Sequence, residues 1–515
     1  MKNSLQLLVL ILLLTQLAVA QKAGLSTYAE AGVYVSSSDR IPFWLRANEW
    51  GRVPVEASIG TARLGLHYQS PVTYADSAHR KARFNWSVGV EGVANAGARP
   101  QVLLAESYGK MQWRWTEDLA NTGAKSRVLL PEAYAKIRWR WLELMAGRER
   151  QIIGIVDSTL SSGSYSWSGN ALPIPMVRFG LPDYVPLGFL GRLISIKGTY
   201  AHGWFNVPYI ERAYLHQKTF HTRFGKPEGN VHVHLGLVHQ VQWGGEAEYL
   251  KIGDLSINGK LPTDFSNYLR GVVLAQISRG LKNDLINYFD GFNRVGNHLG
   301  HIDMAVDWRI KNTKFLVYRQ HPFDDASSLQ FQNLPDGLYG LSLRPNTEAT
   351  SAFALKGLVL EYFYTRDQTR YVPGSRFSSD DSYFNHAQYR EGWSYMERAL
   401  GNPLLPTVRE AKNGFPDGDG FFPTNRTVSY YVGLEGLIAQ KVKVMAKVSQ
   451  GRYFRPGDRE YDPPVRQFSS MLAFDAPLLR WGNTRIKAQI AYDKGGLYPE
   501  SLGGYLGVRS SLGKK

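Results

Sequence analysis

Cysteine is absent from the 515 residues. Its absence excludes a disulfide scaffold, thiolate metal centres, a cysteine nucleophile and a lipid-modified N-terminal cysteine. Acidic residues are few beside basic ones, 44 against 60, and the net charge is +16. Past residue 20 the chain lacks any run of about 20 apolar residues, so it carries no transmembrane helix. No Gly-x-Ser-x-Gly elbow is present, and no Ser, His and acid set emerges from chain order. Charged residues amount to 20% and hydrophobic ones to 43%, a balance that builds an ordered structure and not a disordered polyelectrolyte.

What the chain does have begins at its start. Met1-Lys2-Asn3 is a short basic region, Leu7 to Leu14 is unbroken apolar, and Ala18-Val19-Ala20 supplies small residues for cleavage. This predicts a secretory signal peptide over 1–20 and a mature chain from Gln21. An exported protein meets no genome, so no nucleic acid partner is expected despite the basic balance.

Aromatics make up 13% of the chain and glycine 51 residues. Between them run segments of about ten residues that alternate apolar and polar. Val231, Val233, Leu235, Leu237, His239, Val241 and Trp243 share one parity, against His232, His234, Gly236, Val238, Gln240 and Gln242. Ile302, Met304, Val306, Trp308 and Ile310 oppose His301, Asp303, Asp307 and Arg309. Lys441 to Ser449 and Thr484 to Asp493 behave alike. Period two is strand geometry, with one greasy and one wet face per strand. A soluble sandwich shares that pattern. The charges on the polar faces and the aromatic strand ends (Trp113, Trp115, Trp139, Trp141, Trp243, Tyr492) favour lipid outside and water inside.

Hydrocarbon tolerates a sheet only when it closes. At roughly 27 residues per strand and connection, residues 21–515 predict an all-β transmembrane antiparallel barrel of about 18 strands, with room for a small helical or loop plug. Phe353 to Tyr364 is apolar on both faces. The alternation slips after Trp141, which reads as a bulge or a strand leaving the membrane. The repeat of Glu106 to Trp115 at Glu132 to Trp141 predicts two successive wall strands. Thr263 to Arg270 starts like a capped helix and is a candidate obstruction of the lumen.

Three stretches break the alternation and are candidate functional loops. They are Gly147 to Trp204, Glu211 to Gly225, and a long extracellular loop at about 366–425, aromatic enough to be ordered. Here the chain resembles the Wzi-type capsule assembly proteins of the Gram-negative outer membrane, in particular their Bacteroidetes branch. The resemblance rests on Pro42-Phe43-Trp44-Leu45 with Asn48 and Gly51, the Ser161 to Pro175 run, and His202-Gly203-Trp204. It extends through Gln242-Trp243-Gly244-Gly245, Glu361-Tyr362 with Thr365, and Tyr383-Phe384-Asn385-His386 with Tyr389, Gly392 and Trp393. It implies a monomeric outer-membrane lectin, not an enzyme, that holds acidic capsular or exopolysaccharide at the surface amid lipid and lipopolysaccharide.

Sugar rings lie on Trp and Tyr faces, while Asn, His and Arg take hydroxyls and carboxylates. Guanidinium matches carboxylate bidentately, which singles out Arg178, Arg376 and Arg390. The candidate polysaccharide contacts are these with Trp167, Asn170, His202, Trp204, His216, Lys218, Asn385, His386, Tyr389 and Trp393. The competing readings are a general or specific porin and a polysaccharide-modifying enzyme. For the enzyme, Asp380, Asp381, Glu391, Glu397, Asp417 and Asp419 show no pairing, and the Ser161 to Ser168 cluster with His202 is the one lead. Asn413, Asp417 and Asp419 lack a full Ca²⁺ ligand series, and His232 with His234 read as lumen residues. No cofactor or metal is expected.

Overall fold

The computed structural model describes residues 24–74, 83–97, 102–108, 112–118, 126–251, 254–276, 286–292, 294–324, 331–346, 352–368, 381–412, 420–454, 464–478 and 482–512. Eighteen long strands make one closed antiparallel barrel. The first six are β1 (Leu25–Ser36), β2 (Ile59–Gln69), β3 (Arg83–Gly97), β4 (Ser126–Trp139), β5 (Leu142–Arg148) and β6 (Met176–Pro186). Then come β7 (Ile194–Trp204), β8 (Tyr214–Phe224), β9 (Val231–Trp243), β10 (Asn297–Ile310), β11 (Thr313–Phe323) and β12 (Gly337–Pro345). The last are β13 (Phe353–Tyr364), β14 (Arg426–Ile438), β15 (Val442–Phe454), β16 (Val465–Pro477), β17 (Thr484–Gly495) and β18 (Ser501–Leu512). Each pairs with its chain neighbour. β18 closes on β1 with Tyr34 opposite Tyr505 and Glu30 opposite Arg509. Closure leaves no strand edge in hydrocarbon.

The alternation is inverted as expected. Val231 (57% exposed), Leu235 (47%), Leu506 (64%) and Val508 (46%) point outward. Connections alternate long and short, and the long ones mark the external end. Near the short turns the wall carries Tyr68 against Trp86 (centroids 4.9 Å), Trp308 stacked on Phe315 (5.3 Å), and exposed Trp139 and Trp141. Near the long loops it carries Tyr339, Tyr362, Tyr364 and Tyr430, with Tyr362 and Tyr430 5.3 Å apart. These are the two aromatic girdles. Trp113 and Trp115 have side chains outside the described residues.

Three local expectations are revised and one oddity is explained. Val102–Tyr108 pairs with Gln112–Asp118 in its own hairpin, so the first copy of the repeat is not a wall strand. The phase slip at Trp141 is neither bulge nor exit but a tight turn, with Arg140 at φ 55°, joining β4 to β5. β13 is apolar on both faces because its inner residues Val359 and Phe363 meet a packed interior instead of water. The capped segment does form, with Asp264 Oδ1 accepting from Asn267 N (3.1 Å), but it lies against the outside of the barrel and obstructs nothing. There Tyr268 stacks 4.7 Å from Trp243, so Trp243 sits beneath a protein cover and not in lipid.

Inward positions carry charge in pairs. Glu30 meets Arg63 (3.4 Å) and Lys487 (2.6 Å), and Tyr505 donates to it at 2.9 Å. Arg52 bridges Glu49 (2.6 Å) and Glu91 (3.3 Å), and Arg150 holds Glu132 at 2.6 Å. The Glu30 cluster links β1, β2, β17 and β18, while Arg52 and Arg150 tie connections to β3 and β4. Placing a cation on the lipid face should be costly: Leu235→Arg is expected to destabilise the barrel by about 2–4 kcal/mol. Leu235→Phe is expected to stay within about 0.5 kcal/mol. Urea titration of the folded fraction in lipid vesicles reads both.

Candidate functional site in the loop-filled mouth

The external loops fold back into the barrel. The Ser161 to Pro175 run is packed inside the wall, and its serine hydroxyls are all employed. Ser161 Oγ and Ser162 N donate to Glu361 on β13 at 2.7 and 2.8 Å. Gln320 on β11 accepts from Tyr165 N (2.7 Å) and Ser164 Oγ (3.1 Å). Gly163 turns the chain at φ 130°, where a Cβ would meet Pro403 Cδ at 2.9 Å. Deeper still, Asp157 accepts from Ser342 Oγ at 2.6 Å and pairs with Arg344 on β12. Satisfied polar backbone of this kind is what lets a loop stay buried.

The loop after β13 sits on top of this layer. Trp393 is fully buried, donates Nε1–H to Ser166 O (2.7 Å) and lies 6.1 Å from Trp167. Asn170 Nδ2 donates to Ala399 O (3.2 Å) and Glu410 (3.1 Å). Asn385 clamps Phe422 through both ends of its amide, at 3.1 and 2.9 Å. Tyr389 donates to Gly244 O at 2.9 Å, and His386 packs edge-on against Phe289 at 5.7 Å. Trp167, Asn170, Tyr389 and Trp393 thus meet one another's loops and present almost no surface; they build the platform.

The remaining expected residues fall in three places. Arg178 is inside the wall, held by Glu143 (2.7 Å) and Glu149 (3.0 Å). His202, Trp204, His216 and Lys218 are on the outer face. His216 is buried beneath Tyr268 with centroids 6.0 Å apart, and Lys218 Nζ donates to Val273 O at 2.5 Å. Arg376, Asn413, Asp417 and Asp419 lie outside the described residues. Arg390 alone stays at the mouth with partial exposure, its guanidinium 5.3 Å over Tyr209 and 5.2 Å over Tyr249. A guanidinium braced between two rings is a pre-organised anion donor.

Beside Arg390, burial pushes the Glu391 carboxyl up to about 8, with Glu397 adding to the rise and Arg390 opposing it. Glu391 is therefore largely neutral at neutral pH and does not offset the Arg390 charge.

A second cationic feature escaped the sequence reading. Val53, Leu129, Leu172 and Met396 are the apolar lining of a narrow cleft at the mouth, which Arg127, Arg398, Arg409, Glu56 and Glu397 also line. Arg398 donates to Glu410 (3.0 Å) and Val53 O (2.6 Å). Arg409 pairs with Glu56 and reaches Glu397 at 3.2 Å. Met396 and Glu397 both adopt positive φ, 49° and 65°, at the tip of the Ser394–Tyr395/Arg398–Ala399 hairpin. The reversed dipeptides Glu397-Arg398 and Arg409-Glu410, close in one loop, were the available signal.

The faint hydrolase lead dissolves, because the Ser161 to Ser168 run is inside and His202 outside. A different chain exists: Ser166 Oγ contacts His301 Nδ1 (2.8 Å), whose Nε2 is 3.5 Å from Asp303. All three are completely buried, and Gln320 and His221 share the same carboxylate at 2.9 and 2.8 Å. A nucleophile needs access. His232 and His234 both meet Asp307, at 3.2 and 2.6 Å, as paired lumen residues.

A family model for capsule assembly protein Wzi matches residues 47–432. No curated protein matches the chain. Among solved structures it is similar to Wzi of Escherichia coli, at 14% identity and a TM-score of 0.55, covering 99% of this chain and 89% of that one. That protein is described as an outer membrane protein involved in group 1 capsule assembly and a carbohydrate-binding β-barrel. OccK5 (OpdH) of Pseudomonas aeruginosa is 9% identical with a TM-score of 0.45, over 95% of this chain and 97% of that one. OccAB3 of Acinetobacter baumannii is 10% identical with a TM-score of 0.43, over 95% of this chain and all of that one.

The packing makes a direct prediction. Trp393→Ala should cost the loop layer about 3–5 kcal/mol. In planar bilayers the wild type should conduct weakly and the variant markedly more; equal traces would show that Trp393 does not hold the plug.

Proposed function

The chain belongs to the capsule assembly protein Wzi family, and from that premise we propose that this outer-membrane barrel retains an acidic capsular or exopolysaccharide at the cell surface. The observation that carries the reading is the mouth itself: loops fill the interior from the external side and present Arg390, braced by Tyr209 and Tyr249, to solvent. A polymer too large to enter is met there by cation and ring together, the pair that acidic sugars require. The E. coli relative is described as carbohydrate-binding, which supports the same role here. The excess of basic residues concentrates a polyanion at longer range. The Arg390 group, with the neighbouring Asn385 and His386, is the contact region of this proposal.

The role needs no catalysis, cofactor or metal. Residues 1–20 serve as a removable export signal, and the barrel works as a monomer in lipid and lipopolysaccharide. The porin alternative is disfavoured by an interior occupied by the Ser161 to Pro175 run and Trp393.

Deleting the gene is expected to leave polymer synthesis intact while polymer moves from the cell-bound to the free fraction. If synthesis itself stops, retention is not the role. Binding should also depend on pH. Below about 8 Glu391 is protonated and Arg390 attracts anions unopposed; above it the carboxylate forms and competes. Polymer affinity should therefore fall as pH rises through about 8, and Glu391→Gln should flatten that step in a glycan pull-down.

A further inference from the structure

The cleft beside Arg409 has more positive than negative charge built into it. Arg127, Arg398 and Arg409 wall it, with Arg40 donating to Arg409 O at 2.8 Å and Arg46 3.6 Å from Glu410 behind. Among the described residues the acids that answer them are Glu56, Glu397 and Glu410, with Asp493 near Arg46. Glu410 is already divided among Arg398, Arg46 and Asn170. The surplus cation, Arg127, is exposed; within the cleft a buried guanidinium N–H is costly unless something pairs it. Arg409 Nη1 is buried without a hydrogen-bond partner. Burial, with Arg40 and Arg46 nearby, pulls the Arg409 guanidinium down to about 9.

The geometry limits what can satisfy that excess. The enclosed free space is about 20 Å³, room for about one water and no sugar ring. A carboxylate exceeds that space until the Glu397 carboxylate leaves it; in its place a planar two-oxygen group would meet the guanidinium forks, while the ring bearing it would remain above, against the apolar edge at Pro54 and Met396. Glu397 stands where such a group would arrive. It reaches Arg409 from a hairpin tip with two consecutive positive-φ residues, a strained placement for Met and Glu. A loop acid on a strained tip can be displaced by a stronger-bound carboxylate.

We propose that the cleft walled by Arg127, Arg398 and Arg409 is a subsite for a single carboxylate substituent of the polymer, which replaces the Glu397 side chain on Arg409. This rests on the polysaccharide-retaining role proposed above and names the chemical group recognised: a uronic acid or other carboxylated sugar, read as a substituent and not as a ring. Arg127, on the exposed side, steers the group inward.

The test uses the full chain in detergent, with heat-modifiable migration as the check on folding. It is titrated with an oligogalacturonate and with polymer released from its own cells, each native and after reduction of carboxylates to alcohols. Wild type should bind the acidic forms at least about tenfold more tightly than the reduced ones. Arg127→Gln should erase most of that preference while leaving affinity for the reduced forms unchanged, and Glu397→Gln should tighten the acidic forms several-fold. If both variants keep the wild-type preference, the subsite is overturned while surface retention stands; if the wild type has none, the subsite falls together with the acidic character of the retained polymer. If wild type binds neither its own polymer nor the oligomer, the retention role itself fails and the subsite with it.

Discussion

Hydrocarbon offers no hydrogen-bond partner to a peptide group, and the rest of the molecule follows from that. Every strand must be paired on both sides, so β1 has to meet β18, and the sheet becomes a cylinder. Once closed, its two faces see different solvents. Period-two alternation then sends Leu235, Val306 and Leu506 to lipid and Glu30, Asp303 and Lys487 to the interior.

The interior of a barrel this wide has to be filled or flooded. Here it is filled by loops, and the filling is polar where it touches the wall and aromatic at its centre. Glu361, Gln320 and His301 take the donors of the Ser161 to Ser168 run one by one. Tyr165, Trp167, Tyr383, Phe384 and Trp393 then supply the apolar centre. A serine-rich loop that looks like flexible linker material is thereby among the most buried parts of the molecule.

That difference marks the limit of what the sequence discloses. The wall was legible because strand periodicity is local: Val231 to Trp243 reveals its faces without knowledge of any partner. The closed sheet and the strand number followed from the same local pattern and from the solvent. The loops were not legible, because burial of Trp393 or Tyr389 depends on segments more than a hundred residues away. Aromatic and amide residues look alike whether they will stack on a sugar or on another loop. The arginine cleft was hidden for the same reason, since Arg127 comes from the start of β4 and Arg398 and Arg409 from the distant loop after β13. Arg390 was found because its type and loop position were enough.

The outer wall shows the bilayer rule from the opposite side. Near the external end, β7 to β10 turn His202, His216, Lys218, His239 and His298 outward, where lipid would leave them unsolvated. The segment from Asp264 to Leu274 covers them. Tyr268 meets His216 edge-on and lies tilted against Trp243, His239 bonds His298 at 3.0 Å, and Val273 O receives Lys218. The cover then shows Phe265 and Leu274 to its surroundings, 75% and 66% exposed. It converts a polar stretch of wall back into a greasy one. The His202-Gly203-Trp204 motif, which reads from sequence as a binding element, sits at the edge of this repair. Residues that break a local pattern need an external account, and here neighbouring chain supplies it before any ligand does.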